Sequence, residues 1–286
     1  MEKQLRSILV EQASKHRDKK VGVFLSAGVD SQAVLFACLE AGIKPVCISF
    51  TRDDHDSRDY KYAKEIAKYF DLEFIRVAVP SDIDTLKKHL FHNIRFYKLK
   101  NPAEIECVYI IKFAFIAAAV NGVEVVFTGH GADTQYGSSK NASLRECEGK
   151  NTDEIRKKEM SKPNWNQRIT LKQICYNYEI SYVPFYQSKK VVELFKNTTF
   201  AELKEKEAKF VTKEAFREYF NQIKKFSRGH QNYQKGDTKF QDMFDSLLKS
   251  DWMIRDKKFK KPVVVYNDIK NGKIKYKMTT NRLFSK

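Results

Sequence analysis

The feature that most constrains the fold is an alternation of short apolar runs with longer segments of helical periodicity. Mostly apolar runs occupy residues 21–25, 45–50, 72–79 and 123–129. Segments whose apolar residues recur three and four positions apart lie between them. Strands that are apolar throughout are buried on both faces, which is typical of a parallel sheet covered by helices. We therefore predict an α/β fold with a doubly wound, mostly parallel sheet.

The helical pattern continues beyond the predicted sheet and then changes character. A first group of helices is predicted over residues 3–17, 31–42, 56–70, 81–94 and 105–122, with Ser81 as the cap of the fourth helix. After about residue 138 the chain is polar and charged until helical periodicity resumes near residues 168–180, and YVPFYQ (182–187) interrupts the pattern. The segment 263–280 is predicted as a terminal β-hairpin that turns at Asn271-Gly272.

These changes predict three regions. Residues 1–140 form an α/β core, residues 141–225 form a helical substrate region, and residues 226–286 form a basic C-terminal extension with the hairpin. The polar segment after residue 138 is expected to be a mobile connection or a surface excursion.

The composition indicates the cellular compartment of the protein and the kind of partner it binds. The formal net charge is +17, which favours polyanionic partners, although a lysine-rich soluble surface is the simpler interpretation. Five cysteines without a CxxC pair indicate a reducing compartment. The charged N-terminus does not resemble a signal peptide, and no apolar run reaches membrane-spanning length. We expect a cytoplasmic protein that does not bind membranes.

Two polar, glycine-containing loops follow predicted strands. SAGVDS (26–31) comes after the first strand, and TGHGADTQYG (128–137) begins at the end of the fourth strand. Ligands of open parallel sheets bind at the carboxyl ends of the strands. Both loops are therefore predicted to border the functional site.

The first loop has the composition of a phosphate site. It opens a predicted helix, where free N–H groups and the helix dipole attract an anion. Gly28 allows a close approach to the backbone, and Ser26 and Ser31 supply hydroxyl donors. Asp30 repels phosphate by itself, and a Mg²⁺ ion between them resolves that conflict. An ordinary turn with a serine cap is the alternative.

Two common nucleotide motifs are absent from these loops. No lysine follows the glycine of SAGVDS, so the loop is not a Walker A motif. In the second loop Gly129 and Gly131 are followed by Thr134, so GxGxxG is incomplete.

Four segments in order resemble a known family. LSAGVDS resembles the SGGxDS pyrophosphate loop of the N-type ATP pyrophosphatases, the PP-loop superfamily. TGHGADTQYG, YVPFYQ and KFVTKEAF (209–216) resemble the SGxGADExxGG, RxPFLD and KxxLRxAF segments of its asparagine-synthetase branch. The resemblance covers residues 20 to about 220. It implies a fold like that of the adenine nucleotide alpha hydrolases and an ATP-dependent, AMP- and pyrophosphate-forming ligase.

The resemblance also implies roles for individual residues. ATP would lie across the strand ends, and a carboxylate or carbonyl oxygen of the acceptor would attack its α-phosphorus. Asp30 and Asp133 would bind Mg²⁺, and Lys209 would stabilise pyrophosphate. The remaining nucleotide-binding residues would be Ser26, Ala27, Gly28, Val29, Ser31, Gly129 and Gly131 in the loops and Ser49 and Phe50, bordering adenine, after the second strand. Competing interpretations make Asp133 a helix cap, Lys209 a solvated surface residue and Phe50 a core residue.

The sequence departs from the family mainly where the acceptor would bind. His130 stands at a glutamate position of asparagine synthetases, Tyr182 replaces an arginine, and Gln187 replaces an aspartate. These changes argue against asparagine synthesis itself. His130 is a candidate general base with a pKa near its natural value, or a hydrogen-bonded structural residue.

The acceptor and the nitrogen source stay open. Residue 2 is Glu, where the glutaminase half of that branch has a catalytic Cys, so nitrogen would come from ammonia, an amine or a glutaminase acting in trans. The acceptor is a small molecule or a nucleobase. The basic C-terminal segment could bind nucleic acid, which favours a base-modifying enzyme as the alternative, and a non-catalytic nucleotide-binding protein is the third hypothesis. His89 and His92 lie three residues apart, but no acid or cysteine completes a metal site there.

Overall fold

A computed structural model of the protein describes residues 1–99, 102–138, 151–162, 168–204, 207–224, 226, 238–247, 254–255, 258–259 and 262–274. The chain divides into two compact units. The first unit contains Met1–Phe50, Arg58–Val77 and Ala114–Gln231, and the second unit contains Thr51–Ser57, Ala78–Phe113 and Asn232–Lys286.

The described elements alternate between helix and strand through the first half of the chain. The strands are β1 Val21–Phe24, β2 Val46–Arg52, β3 Phe74–Val79, β4 Val125–Thr128, β5 Ser181–Pro184, β6 Ile254–Arg255 and β7 Lys258–Phe259. The helices are α1 Glu2–Ser14, α2 Val29–Glu40, α3 Arg58–Tyr69, α4 Ile83–Arg95, α5 Pro102–Val120, α6 Ala132–Gln135, α7 Thr152–Met160, α8 Arg168–Asn177, α9 Lys189–Lys196, α10 Phe200–Lys204, α11 Phe210–Ala215, α12 Arg217–Gln222, α13 Phe240–Leu247 and α14 Pro262–Lys270. A 3₁₀ turn at Phe185–Gln187 follows β5.

The main sheet has the strand order β3-β2-β1-β4-β5. The pairs β1–β2, β1–β4 and β4–β5 are parallel, with Gly22 opposite both Val46 and Val126. Strands β2 and β3 lie on one side of β1, and the next strand in the sequence, β4, lies on its other side. The order therefore reverses between β1 and β4, which is where sheets of this kind bind ligands. The predicted doubly wound α/β fold is confirmed.

Helices of the first unit pack on this sheet through aromatic side chains. Phe36 of α2 is fully buried and stacks on Tyr219 of α12 at 4.9 Å between ring centroids. The same ring meets Phe220 edge-on at 5.0 Å. The C-terminal helices of the first unit are thereby fixed to the helix that follows β1.

The sequence predicts four strands, and the structure adds β5. This strand pairs with β4 from Val125–Ser181 to Thr128–Pro184 at the edge of the sheet. It is short and ends in Pro184, which has no N–H to donate, and such strands are tolerated at sheet edges. Part of YVPFYQ is thus a strand. The sequence does not predict it because its apolar pattern is short and contains a proline.

The predicted terminal hairpin is wrong over its first half, because Pro262–Lys270 is a helix. Val265, Tyr266 and Ile269 are buried at helical spacing, and Pro262 occupies the first turn, where proline is tolerated. Asn271-Gly272 ends the helix instead of turning a hairpin: Gly272 has φ +74°, and Lys273 N donates to Asp268 O at 2.9 Å. Residues 275–280 of the prediction lie outside the described residues, and a short antiparallel pair, β6–β7, precedes the helix.

Part of the predicted polar connection is also a helix. Asn151 caps α7, because its side chain accepts from the N–H groups of Asp153 and Glu154. The rest of that connection, 139–150 and 163–167, lies outside the described residues. The cap predicted for α4 is off by one residue, since Asp82 rather than Ser81 accepts from Thr85 N.

The second unit is mainly helical in its described part. Leu86, Leu90 and Ile94 of α4 are buried, and α4 packs against α14. Arg95 Nη1 donates to Lys270 O at 2.9 Å, which satisfies a carbonyl at the end of α14. Across the described part of the chain, no helix combines the length and the apolarity needed to cross a bilayer.

Candidate functional site

The two predicted loops meet at the carboxyl ends of β1 and β4 in the first unit. Residues 25–28 lead from β1 into α2, and residues 129–131 lead from β4 into α6. A Cβ atom on Gly129 would lie 2.8 Å from the carbonyl carbon of Asp30 and 2.9 Å from Ser31 N. No side chain fits at that distance, so Gly129 is what allows the second loop to touch the first turn of α2.

The first loop is closed by its own serines. Ser31 Oγ accepts from Ser26 N at 3.1 Å and lies 2.9 Å from Ser26 Oγ. Gly28 N donates to Ser26 Oγ at 3.1 Å, and Ser31 Oγ donates to Gly28 O at 3.0 Å. The loop therefore has one defined shape set by side chain–backbone hydrogen bonds.

The helix that follows this loop begins without a side-chain cap. Gly28 is the N-cap residue in an extended conformation, and the first intrahelical bond runs from Gln32 N to Gly28 O. The N–H groups of the first turn have no acceptor within the helix, and the helix dipole places partial positive charge there. Asp30 in that turn is the acidic residue that the dipole favours. This geometry supports an anion site.

One lysine joins the two loops. Lys209 Nζ forms an ion pair with Asp30 Oδ2 and a second ion pair with Asp133 Oδ1 at 2.8 Å. The Lys209 side chain is only 14% exposed, so it is not the solvated surface residue of the alternative interpretation. The structure therefore brings together Asp30, Asp133 and Lys209, which lie far apart in the sequence.

The ionisation of this trio follows from its burial and mutual contacts. Burial raises the pKa of Asp30 to about 6, with Asp133 adding to the shift and Lys209 opposing it. Burial lowers the pKa of Lys209, but attraction to Asp30 and Asp133 outweighs it, so the pKa is raised. Lys209 is therefore charged at neutral pH, and it partly compensates two carboxylates that repel each other.

The second loop and α11 fix the position of Lys209. Tyr136 Oη accepts from Thr212 N at 3.0 Å, and it lies 2.6 Å from Thr212 Oγ1. Tyr186 Oη reaches the same hydroxyl at 3.2 Å. Lys209 itself has left-handed backbone geometry (φ +59°), which is unfavourable for a non-glycine residue and clusters at functional sites.

Two carboxylates at this edge fit the requirements of Mg²⁺. Asp30 Oδ1 is buried and has no hydrogen-bond partner in the described part of the chain, and Asp133 is 61% exposed. No group of three or more His, Cys, Asp or Glu residues within the described ranges forms a complete metal site. Mg²⁺ is usually held by one or two carboxylates together with substrate phosphates, so the pair fits that ion.

On the other side of the second loop, His130 contacts Tyr182. His130 Nδ1 lies 2.9 Å from Tyr182 Oη, and Thr128 Oγ1 donates to the same phenol oxygen at 3.4 Å. Burial lowers the pKa of His130 to about 4, with Asp133 opposing the shift. The expectation of a pKa near the natural value is wrong for this buried ring, which is neutral at pH 7.

Gln187 is a buried side chain of this region whose whole amide group is unsatisfied among the described residues. It is 4% exposed, and within the described ranges neither its amide oxygen nor its amide nitrogen has a hydrogen-bond partner. A Cβ on Gly131, which has φ +98°, would lie 2.7 Å from Gln187 Cγ. A buried amide with both functions unpaired is costly, and such groups are candidates for contact with water or substrate.

The other predicted nucleotide-binding residues lie near the same edge. Ala27 is buried, and Val29 begins α2. Ser49 and Phe50 lie inside β2 rather than after it, because the strand extends to Arg52. Phe24, the last residue of β1, pairs with Ile48, so Ser49 of β2 lies next to the point where the first loop begins.

A supporting residue that the sequence did not reveal is Arg156 of α7. Its guanidinium is 2% exposed and donates to Gln135 O at 2.8 Å, and also to Phe195 O and Thr198 O. Asp153 Oδ1 compensates its charge at 2.6 Å. Arg156 thus anchors the end of α6 to α9, and the charged segment around it carried no signal of burial.

Fold and site together define an α/β protein with two polar, glycine-containing loops at the switch point of its parallel sheet. The family model of asparagine synthase matches residues 4–179, which is more than half of the chain. The chain belongs to the asparagine synthase family. The predicted family is thereby confirmed, although the third and fourth motifs lie beyond the matched residues.

Other comparisons are more remote. No curated protein matches the sequence. Among solved structures, the chain is similar to an NMN synthetase from Francisella tularensis, with 10% sequence identity and a TM-score of 0.39, covering 81% of this chain and 98% of that one. A similarity this remote says nothing about the reaction.

Proposed function

We propose that the protein is an ATP-dependent C–N ligase that forms AMP and pyrophosphate. An acceptor carboxylate or carbonyl oxygen bonds to the α-phosphorus of ATP, and the bond from that phosphorus to the β-phosphate oxygen breaks. A nitrogen nucleophile then attacks the activated carbon, and the carbon–oxygen bond to AMP breaks. The observation that carries the proposal is Lys209 joined to Asp30 and Asp133 between two loops of an asparagine synthase family member.

The first step requires stabilisation of the departing pyrophosphate. The free N–H groups of the first α2 turn are donors suited to phosphate oxygens, and the hydroxyls of Ser26 and Ser31 hold the loop in the shape that presents them. Lys209 supplies a fixed positive charge at the same place, and its burial strengthens that charge's effect. Asp30 and Asp133 would hold Mg²⁺, which offsets phosphate charge when bound.

The second step requires a proton acceptor for the nitrogen. His130 is neutral at pH 7 because burial lowers its pKa, so its imidazole can accept a proton. Tyr182 orients that ring through the 2.9 Å contact. Gln187 offers the N–H groups of its amide nitrogen and its carbonyl oxygen to the substrate that accepts nitrogen, where an aspartate would instead favour a cation.

The test is product analysis with a matched pair of variants. The protein is incubated with ATP, MgCl₂, ammonium and a panel of carboxylates and nucleobases, and AMP and pyrophosphate are quantified. Asp30→Asn should reduce AMP formation at least 100-fold, while Asp84→Asn should leave it unchanged. Asp84 is the matched control because it occupies the same second position of a helix, α4, and is exposed.

The products decide between the candidate functions. Release of ADP and phosphate, or full activity of Asp30→Asn, would contradict the ligase mechanism. ATP binding without turnover on any acceptor would favour a non-catalytic nucleotide-binding protein.

Modification of a nucleobase in RNA or DNA is the second candidate, and the net charge of +17 favours it. Its test is the affinity for RNA as a function of salt. An affinity that falls steeply with salt supports contacts to a phosphate backbone. An affinity that is independent of salt contradicts them.

A further inference from the structure

Lys209 contacts the same two carboxylates that fit Mg²⁺. Its Nζ atom forms an ion pair with Asp30 Oδ2 and lies 2.8 Å from Asp133 Oδ1. A Mg²⁺ ion held by these side chains would lie about 2.1 Å from its oxygen ligands. The ammonium group and the metal would then be close neighbours, and two cations in a partly buried site repel each other. The lysine and the metal therefore compete for one pair of carboxylates.

The carboxylate of Asp30 has one oxygen that the lysine does not contact. Asp30 Oδ1 is buried and has no partner in the described part of the chain. A metal bound to this oxygen would share the carboxylate with Lys209, so the two cations would still be close. Asp133 is 61% exposed, but the Asp30 side chain is only 18% exposed. A cation from solvent can thus reach Asp133 readily, and its binding to both carboxylates together is what Lys209 opposes.

The lysine has little freedom to withdraw from this position. Its side chain is 14% exposed, and a buried ammonium group that leaves its counter-charges is costly. Lys209 is the N-cap residue of α11, and its carbonyl oxygen accepts from Lys213 N at 3.1 Å. The same helix is fixed to the second loop, since Thr212 N donates to Tyr136 Oη at 3.0 Å. The ammonium group therefore stays beside the carboxylates unless another anion binds it.

A phosphate ligand changes this competition through its charge. Two carboxylates and one ammonium group leave a single negative charge, which attracts a divalent cation only weakly. The phosphates of ATP or pyrophosphate add several negative charges. Their oxygens accept hydrogen bonds from an ammonium group and are also ligands for Mg²⁺. With phosphate bound, Lys209 has a second anionic partner, and both carboxylates become available to the metal.

We propose that Lys209 excludes free divalent cations from Asp30 and Asp133 and admits them together with a phosphate ligand. This role rests on the proposed function in one respect, since it takes the nucleotide phosphates to bind beside the first loop. It depends neither on the acceptor nor on the reaction. Coupling between two ligands is reciprocal, so the cation also raises the affinity for the nucleotide. Lys209 thereby makes the metal and the nucleotide bind as a pair.

The test measures the binding of Mn²⁺, which shares the preference of Mg²⁺ for oxygen ligands. The electron paramagnetic resonance signal of the free ion is followed at pH 7.5 without nucleotide. Lys209→Met should bind Mn²⁺ roughly tenfold or more tightly than the wild type, because a repulsive charge is removed. Lys213→Met, whose lysine pairs with Glu207, should bind Mn²⁺ as the wild type does. Equal Mn²⁺ binding by Lys209→Met and the wild type would overturn the proposal.

Two further variants locate the effect and identify its cause. Lys209→Arg keeps the positive charge and should bind Mn²⁺ as weakly as the wild type. If Lys209→Arg gained affinity as Lys209→Met does, charge exclusion would be contradicted. Asp133→Asn, combined with Lys209→Met, should abolish the gain, and a gain that persists would assign the ion to another site.

Unfolding in urea is the second readout, and it keeps the test valid if Lys209→Met is unstable. Mn²⁺ alone should raise the urea midpoint of Lys209→Met but should leave that of the wild type unchanged, because a ligand stabilises the state that binds it. Stabilisation of the wild type by Mn²⁺ alone would overturn the proposal without any variant. No nucleotide is present in these experiments, so formation of ADP in place of AMP would contradict the ligase reaction and leave this result intact.

Discussion

Lys209 and Lys112 are both buried, but their surroundings are opposite. Lys209 contacts two carboxylates, and its pKa is raised. Lys112 has neighbours that are basic, and its pKa is lowered to about 8. Burial of a lysine therefore does not by itself define its role. Two carboxylates stabilise the charged form of Lys209, whereas burial and Lys88 destabilise the charged form of Lys112.

The largest expected effect concerns Lys209. Lys209→Met removes the charge between Asp30 and Asp133, so two carboxylates repel each other and phosphate loses its cation. Affinity for ATP in excess MgCl₂ should fall about 100-fold, as for loss of one preorganised electrostatic contact. Isothermal titration calorimetry measures the affinity.

A neighbouring lysine provides the control for that variant. Lys213 lies on α11, the helix that begins directly after Lys209, and it pairs with Glu207 near the surface. Lys213→Met should change ATP affinity less than twofold. If both variants bind ATP equally well, Lys209 has only a structural role.

The second prediction concerns Lys112, whose removal should increase the stability of the protein at neutral pH. Because the folded-state pKa of about 8 is below the ordinary value of 10.5, the unfolded chain binds more protons between these values. The wild type should gain up to about 3 kcal/mol of unfolding free energy between pH 8 and pH 10.5. Lys112→Met should lack this gain and should be the more stable protein at pH 7.

Urea unfolding from pH 7 to pH 10.5 tests this sign. Other groups titrate in the same range, so the relevant quantity is the difference between wild type and Lys112→Met. A constant difference across the range would show that Lys112 is not held with a lowered pKa.

A third prediction tests whether the compact site of the first unit depends on the contact between its loops. Gly129→Ala places a methyl group 2.8 Å from the backbone of Asp30. The backbone must shift, which should reduce the unfolding free energy by about 2 kcal/mol and also weaken ATP binding. Gly42→Ala is the control, because Gly42 has φ +76° with open space around it. Gly42→Ala should reduce the unfolding free energy but should leave ATP binding unchanged.

The smallest expected effect concerns the contact between His130 and Tyr182, which we propose to lie where the acceptor substrate binds. Tyr182→Phe removes the hydroxyl that contacts His130, and one neutral hydrogen bond contributes about 1 kcal/mol. Turnover should therefore decrease several-fold while ATP affinity is unchanged. A loss of ATP affinity in Tyr182→Phe would instead indicate that His130 and Tyr182 contribute to the binding of ATP.

Sequence patterns predicted the parts of the molecule that local chemistry determines. The continuous apolar runs indicated four strands of the main sheet, and the polar loops after two of them led to the correct edge. The shared edge of parallel strands placed the two loops together, and the resemblance to the asparagine-synthetase branch paired Asp30 with Asp133.

Other features depend on contacts that periodicity does not encode. Asn271-Gly272 suits a hairpin turn and a helix end equally well, and the burial of Val265 and Ile269 decides for the helix. Arg156 lies in a charged segment whose composition is typical of a surface. The lowered pKa of His130 follows from burial by residues remote in the chain.

The serine bonds that close residues 26–31 have a consequence for the thermodynamics of binding. A loop whose hydroxyls are already engaged with its backbone has little conformational freedom left to lose. Pyrophosphate binding to this loop should then show a small entropic penalty. Ser31→Ala would loosen the free loop, and the weaker binding should appear mainly in the entropy measured by calorimetry.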